Sequence, residues 1–255
     1  MVKEFTAAEL TATGLLHTGQ GARISPRAVF LPADEEGVQR PVVVGTGAVI
    51  EAFAVIHGGA TIGEGARIEA HVTVGCPELG YAVGRTHPGA GAATIVGDQV
   101  VLRSGAVVYA GVELGAGVLV GHHTLLRSAV TVGAGSLLGH HLTVERNTRI
   151  GRGVRCSPGS HITSSTRVGD HVFLGAGVRT INDKTLTWRD PDREPVLVAP
   201  RFEPGAKIGT GCIVLGGITV GAQALVGAGS LITRDVPAAT IAYGHPARVH
   251  GQVTR

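Results

Sequence analysis

A chain of 255 residues with 40 glycines and only 4% aromatic residues suits a repeat array better than an ordinary globular core, which draws on more large side chains. Its formal charge of +3 comes without a Lys/Arg cluster, so neither nucleic acid nor an anionic membrane is an expected partner. The opening MVKEFTAAEL lacks the apolar run of a secretory leader, and glycine interrupts every later apolar stretch, so neither secretion nor membrane insertion is expected. In chain order, residues 1–43 read as an irregular N-terminal cap and first coil, with one plausible hexad at Ile24 and the charged loop PADEEGVQRP. From Val44 a six-residue pattern takes over: an aliphatic residue, often Gly next, two loosely specified residues, a small or β-branched residue, then anything. It runs in three blocks, Val44 to Val74, Val96 to Leu174 and Phe202 to Ile232. Of these 26 leading positions all but Cys156 and Phe202 are Val, Ile or Leu, a regularity that composition alone would not sustain.

A period of six is no helical stripe, and β-branched residues recurring beside Gly predict short strands separated by tight bends, each with its apolar side inward. Stacked coils of such strands would share a continuous aliphatic core, spaced about 4.8 Å apart by backbone hydrogen bonds. The array spans residues 44–236 and is broken twice, at 76–95 and 180–201. Both breaks are candidate functional loops, because long insertions in a regular scaffold tend to bind or cover something. Residues 237–255 form a short tail. Cys76, Cys156 and Cys212 lie far apart without CxxC spacing, which fits a reducing cytoplasm rather than a disulfide framework.

Three motifs carry a resemblance. The stretch TVERNTRIGRGVRCSPGSHITSSTRVGDHVFLGAGVRTIND, the ending SLITRDVPAATIAYGHPARVHG with its GHPAR element, and the hexads VGHHTL and LGHHLT together resemble the hexapeptide-repeat acyltransferases. The first stretch is most similar to enzymes that acetylate 3-amino sugars on nucleotide carriers. The spacing of His122 and His141, with the loop VGCPELGYAVGRT, resembles the UDP-N-acetylglucosamine acyltransferases. The resemblance implies an all-β fold, a left-handed parallel β-helix of three hexads per coil. It also implies a homotrimer with sites between subunits and acetyl-CoA as co-substrate. Nucleotide-linked amino sugars are the implied acceptors, and an acyl-carrier-protein donor is the alternative.

In such a prism, residues eighteen apart become vertical neighbours. His122 and His123 would stack beneath His140 and His141 at a bend, accessible to a substrate, so His122, His141 and His140 are candidate general bases; stacked histidines decorating a turn are the plain alternative. Gly139 marks a corner whose backbone N–H groups suit an oxyanion. The resemblance aligns Glu145 with an acidic residue of the sugar pocket, and Asn182 and Asp183 with the opening of the long loop. Glu145 has an equally good structural use as the partner of Arg127 one coil below. Lys207, Arg234 and Arg248 in the last coils are candidate ligands for CoA phosphates, or simply solvated charges. No metal is expected: the β-helix carbonic anhydrases place two histidine ligands five residues apart, whereas this chain offers adjacent pairs.

Overall fold

The structure, a computed structural model, describes residues 3–33, 38–78, 92–186 and 192–254. It is a left-handed parallel β-helix. Three sheets of ten, twelve and ten described strands form the sides of the prism, and successive hexads visit them in turn. The register advances eighteen residues per coil: Leu126 lies beside Val144, Val144 beside Ile162, and Leu138 beside Cys156. The leading aliphatic residues point inward, so Ile68, Leu102, Val120, Leu138, Cys156 and Leu174 form one buried ladder of the core. Each such aliphatic side chain contributes about 1.5–3 kcal/mol by leaving water, and no large ring is needed to fill so narrow a lumen.

Regular winding begins earlier than residue 44. Strands Leu16–Thr18, Arg23–Ile24 and Val29–Leu31 already form a full coil beneath the next one. This coil lies within the stretch read as cap and first coil and includes the hexad at Ile24; Leu16 pairs with Val42 because the charged PADEEGVQRP segment interrupts the period inside it. Helix Ala7–Ala12 closes the bottom, its N-terminus held by a reciprocal Thr6–Glu9 capping box. At the top, strand Thr240–Gly244 adds to the twelve-stranded sheet and folds back against Ala247–Gln252, so the expected tail is a hairpin that covers the sheet edge.

Both insertions leave after a strand of one ten-stranded sheet, Thr73–Cys76 or Arg179–Thr180, and return as a strand of the other, Thr94–Val96 or Arg201–Phe202. Ile62 lies beside Val96, and Val168 beside Phe202, so the prism continues in register across each. Residues 79–91 of the first and 187–191 of the second lie outside the described residues. Among the described residues no helix is long and apolar enough to cross a membrane.

Candidate functional site

Two polar clusters lie on or beside the ten-stranded sheet that contains Leu125–Leu126, Thr143–Val144 and His161–Ile162. The first is the histidine corner just before that sheet. His122 stacks on His140 with ring centroids 5.1 Å apart, and His123 on His141 at 5.3 Å. The partners are therefore eighteen residues apart, and His122 does not stack with His141. His123 and His141 occupy left-handed backbone, each at φ 54, at a bend where other coils place Phe53, His71 or a glycine. Gly105, one coil below His123, is such a glycine; a Cβ there would meet the His123 ring at 2.3 Å, so the missing side chain makes room for the imidazole.

Within this corner the hydrogen bonds separate the two rings of the inner pair. His122 Nδ1 lies 3.3 Å from the Ser104 carbonyl oxygen, which can only accept, so Nδ1 carries the hydrogen and Nε2 keeps its lone pair. His140 Nδ1 instead accepts the His122 backbone N–H at 3.0 Å, which leaves the hydrogen of its neutral ring on Nε2. Ser104 is itself anchored, because its N–H and Oγ donate to Glu69 Oε2 at 3.1 and 3.3 Å. Burial pushes the Glu69 carboxyl up, but Arg103 at 2.5 Å and the Ser104 donors outweigh it and hold the group below the usual carboxylate range. A carboxylate, a serine backbone and an imidazole thus form a chain that orients His122.

The second cluster centres on Arg127. Its guanidinium donates to Glu78 Oε1 from Nε at 2.6 Å and to Glu145 Oε2 from Nη1 at 2.6 Å. Glu78, from the stem of the first insertion, also takes the Ser128 N–H at 2.9 Å. The remaining Glu145 oxygen faces His161 Nε2 at 3.6 Å. Side-chain exposure rises along this series, from 4% at Glu78 through 15% and 23% to 38% at His161, so the network runs from a buried anchor to the surface. His161 first, and Arg127 with it, hold the Glu145 carboxyl below its ordinary range against the opposing effect of burial.

Other expected site residues are placed differently. The Gly139 N–H is spent on the Cys156 carbonyl at 2.8 Å and its carbonyl accepts Thr124 Oγ1 at 2.7 Å, so Gly139 itself cannot serve an oxyanion. The next amide, that of His140, has no acceptor among the described residues. Asn182 donates from Nδ2 to Ser164 Oγ at 2.8 Å, two coils above Glu145. Asp183 turns back on its own loop, its Oδ1 accepting the N–H groups of Thr185 and Leu186 at 2.8 and 2.9 Å; these backbone donors lower its pKa. Lys207 and Arg248 belong to the twelve-stranded sheet, whereas Arg234 follows the last strand of a ten-stranded one, so the three cations do not gather in one cluster. Among the described residues no three His, Cys, Asp or Glu side chains are grouped to hold a metal.

Residues 41–76 match the family described as bacterial transferase hexapeptide (six repeats), and the same unit recurs in register up to Ile232. The family match covers residues 41–76, and beyond them the likeness to hexapeptide-repeat proteins is one of repeat and fold. This hexapeptide-repeat protein is 49% identical over 49 residues to a dTDP-3-amino-3,6-dideoxy-alpha-D-galactopyranose 3-N-acetyltransferase of Aneurinibacillus thermoaerophilus, covering 19% of this chain and 26% of that one. It is 39% identical over 64 residues to a 2,3,4,5-tetrahydropyridine-2,6-dicarboxylate N-acetyltransferase of Staphylococcus aureus, covering 25% of each. The chain thus spans about a quarter of the length of these curated relatives. Among solved structures, Arabidopsis UDP-N-acetylglucosamine acyltransferase superposes with a TM-score of 0.53 over 90% of this chain and 74% of the other, at 16% identity, a likeness of fold.

Sequence reasoning missed His161, Glu69 and Ser104. For two of them the signal was available in the eighteen-residue offset, since His161 follows Thr143 and Ser104 precedes His122 by that interval, whereas Glu69 meets Arg103 and Ser104 across the first insertion, 34 and 35 residues on.

Proposed function

We propose that this protein is an acyltransferase that moves an acetyl group from acetyl-CoA to the amine of a nucleotide-linked amino sugar. The observation that carries the reading is the oriented His122: a half-buried corner imidazole whose Nδ1 is fixed on Ser104 and whose Nε2 is free to accept a proton. The acceptor class is supported by the similarity to the Aneurinibacillus 3-N-acetyltransferase. In the proposed reaction His122 Nε2 takes the proton as the sugar nitrogen bonds to the thioester carbonyl carbon. The His140 N–H donates to the oxyanion, and when the carbon–sulfur bond breaks the proton passes from His122 to the departing thiolate. Glu145 and His161, with Asn182 above them, line the side of the prism next to this corner and position the sugar.

The same reading makes the protein a homotrimer of the cytoplasm. Leu137, Phe173 and Leu225 project outward along the twelve-stranded sheet although they are large and apolar, which suits a face covered by a neighbouring subunit. The three cysteines are unpaired, and burial pushes the Cys76 and Cys156 thiols up to about 12, which keeps them unreactive in a reducing compartment.

Thiol release on mixing the protein with acetyl-CoA and a panel of dTDP- and UDP-linked amino sugars tests the reaction, with product mass as the second readout. Release with at least one amine is expected. The interval between His122 and His141 favours a second reading, in which an acyl carrier protein is the donor; turnover only with carrier-bound acyl groups would select it, and silence with both donors would sink both readings.

A further inference from the structure

A third feature lies on a different side of the prism, away from the histidine corner. Arg149 lies directly beside Arg167 in the register, and Arg167 beside Arg201, so three guanidinium groups stand on three successive coils of one sheet, about 4.8 Å apart at the backbone. The second insertion leaves after Thr180 and returns at Arg201 in the coil where the column requires it. All three side chains are exposed, and none makes an ion pair or hydrogen bond to a side chain among the described residues. Elsewhere the chain pairs its stacked charges with opposite ones: Arg67 meets Glu51, Arg103 meets Glu69, and Arg127 meets Glu145.

The three arginines line a cleft of about 460 Å³, the floor of which includes Val168 and Phe202. Asp170 and Glu203 also line it; Asp170 is engaged, its Oδ1 accepting the Arg152 N–H at 2.8 Å. Stacked like charges repel unless a counter-anion lies between them. Guanidinium is a planar fork that meets phosphate in pairs of hydrogen bonds, and a diphosphate presents two phosphoryl groups in tandem, as the column presents its forks.

We propose that the Arg149–Arg167–Arg201 column is a diphosphate-binding site, occupied by the diphosphate of a nucleotide. Two sources share that chemistry: a nucleoside diphosphate carrying the acceptor, and the diphosphate of CoA. The choice of these two sources rests on the acetyl-transfer reading, whereas the site itself is read by binding, so failure of the one is distinguishable from failure of the other.

Calorimetric titration of the full chain with inorganic pyrophosphate, at constant ionic strength, tests it. Saturable binding is expected, weakened at least tenfold by Arg167→Gln and reduced also by Arg167→Lys, which keeps the charge but loses the fork. Arg23→Gln, at an exposed arginine in the first coil of another sheet, should leave the affinity unchanged. Displacement of pyrophosphate by dTDP assigns the acceptor's nucleotide to the column, and displacement by desulfo-CoA assigns the donor. Absence of binding, equal losses in Arg23→Gln, or a site that takes pyrophosphate but neither nucleotide overturns the proposal. So does a change of oligomeric state in Arg167→Gln at unaltered affinity, which would give the arginines to a subunit contact.

Discussion

At the scale of single residues, the hydrogen-bond partner of each imidazole decides what it can do. His122 and His140 are alike in sequence context and stack in one column, yet one offers a ring nitrogen lone pair outward and the other spends its own on a backbone amide. His122→Gln should therefore lower kcat by about 10²- to 10⁴-fold while His140→Gln costs much less, a difference read by steady-state kinetics once a turnover substrate is in hand. His57 belongs to a different class. Burial alone lowers its pKa from 6.5 to about 4, so the fold keeps it neutral. The unfolded chain takes up a proton from pH 6.5 downward and the folded chain only near 4. Stability from His57 is thus complete above 6.5 and is lost as pH falls through that window, by on the order of 3 kcal/mol at most. Urea denaturation at pH 7.5 and 5.0 should show a loss that His57→Asn abolishes; an unchanged loss in the variant would assign it to other groups.

At the scale of elements, the Arg127 network ties the stem of the first insertion to two coils of the prism. Glu78 arrives from outside the repeat, and Arg127 and Glu145 come from neighbouring coils, so one guanidinium joins three segments. Arg127→Ala leaves two partly buried carboxylates facing one another and should cost about 3–5 kcal/mol, measured by urea denaturation. Combining it with Glu78→Gln and Glu145→Gln should recover part of that loss, because the uncompensated charges go with the cation. The carboxyls of Glu69, Glu78 and Glu145 all lie below the ordinary 4.5, so they stabilise the fold above that value and release it as pH falls further. The ion pair of Glu145 with Arg127 was legible in the sequence, as the alternative to a place in a sugar pocket, and the structure shows that pair directly. The eighteen-residue offset made that pairing visible, whereas Glu78, 49 residues from Arg127, followed no periodic rule.

At the scale of the whole molecule, each coil rests on its neighbours, and the outer faces carry what the narrow core cannot bury. Phe173 and Leu137 keep 37% and 39% of their surface exposed on the same sheet, with Arg155 between them in the column. If this face is the subunit contact, Phe173→Glu should convert the trimer to monomers in analytical ultracentrifugation while the far-ultraviolet circular dichroism stays that of a β-fold. A wild-type chain that sediments as a monomer would sink the trimeric reading.

The hexad period by itself determined the strands, their inward residues and the vertical partnership of positions eighteen apart, because burying one aliphatic residue per strand is a local requirement repeated along the chain. Handedness was expected only from resemblance. Where the period broke, in the PADEEGVQRP segment and the two insertions, only the tertiary structure decided which strands met: chain entropy permits an excursion of almost any length provided its ends rejoin the column. The ring nitrogen that His122 leaves free, the amide that Gly139 has already used, and the cleft behind three arginines were likewise decided there. They depend on which atoms stand on the coil above and the coil below, a relation between segments that no single stretch of sequence contains.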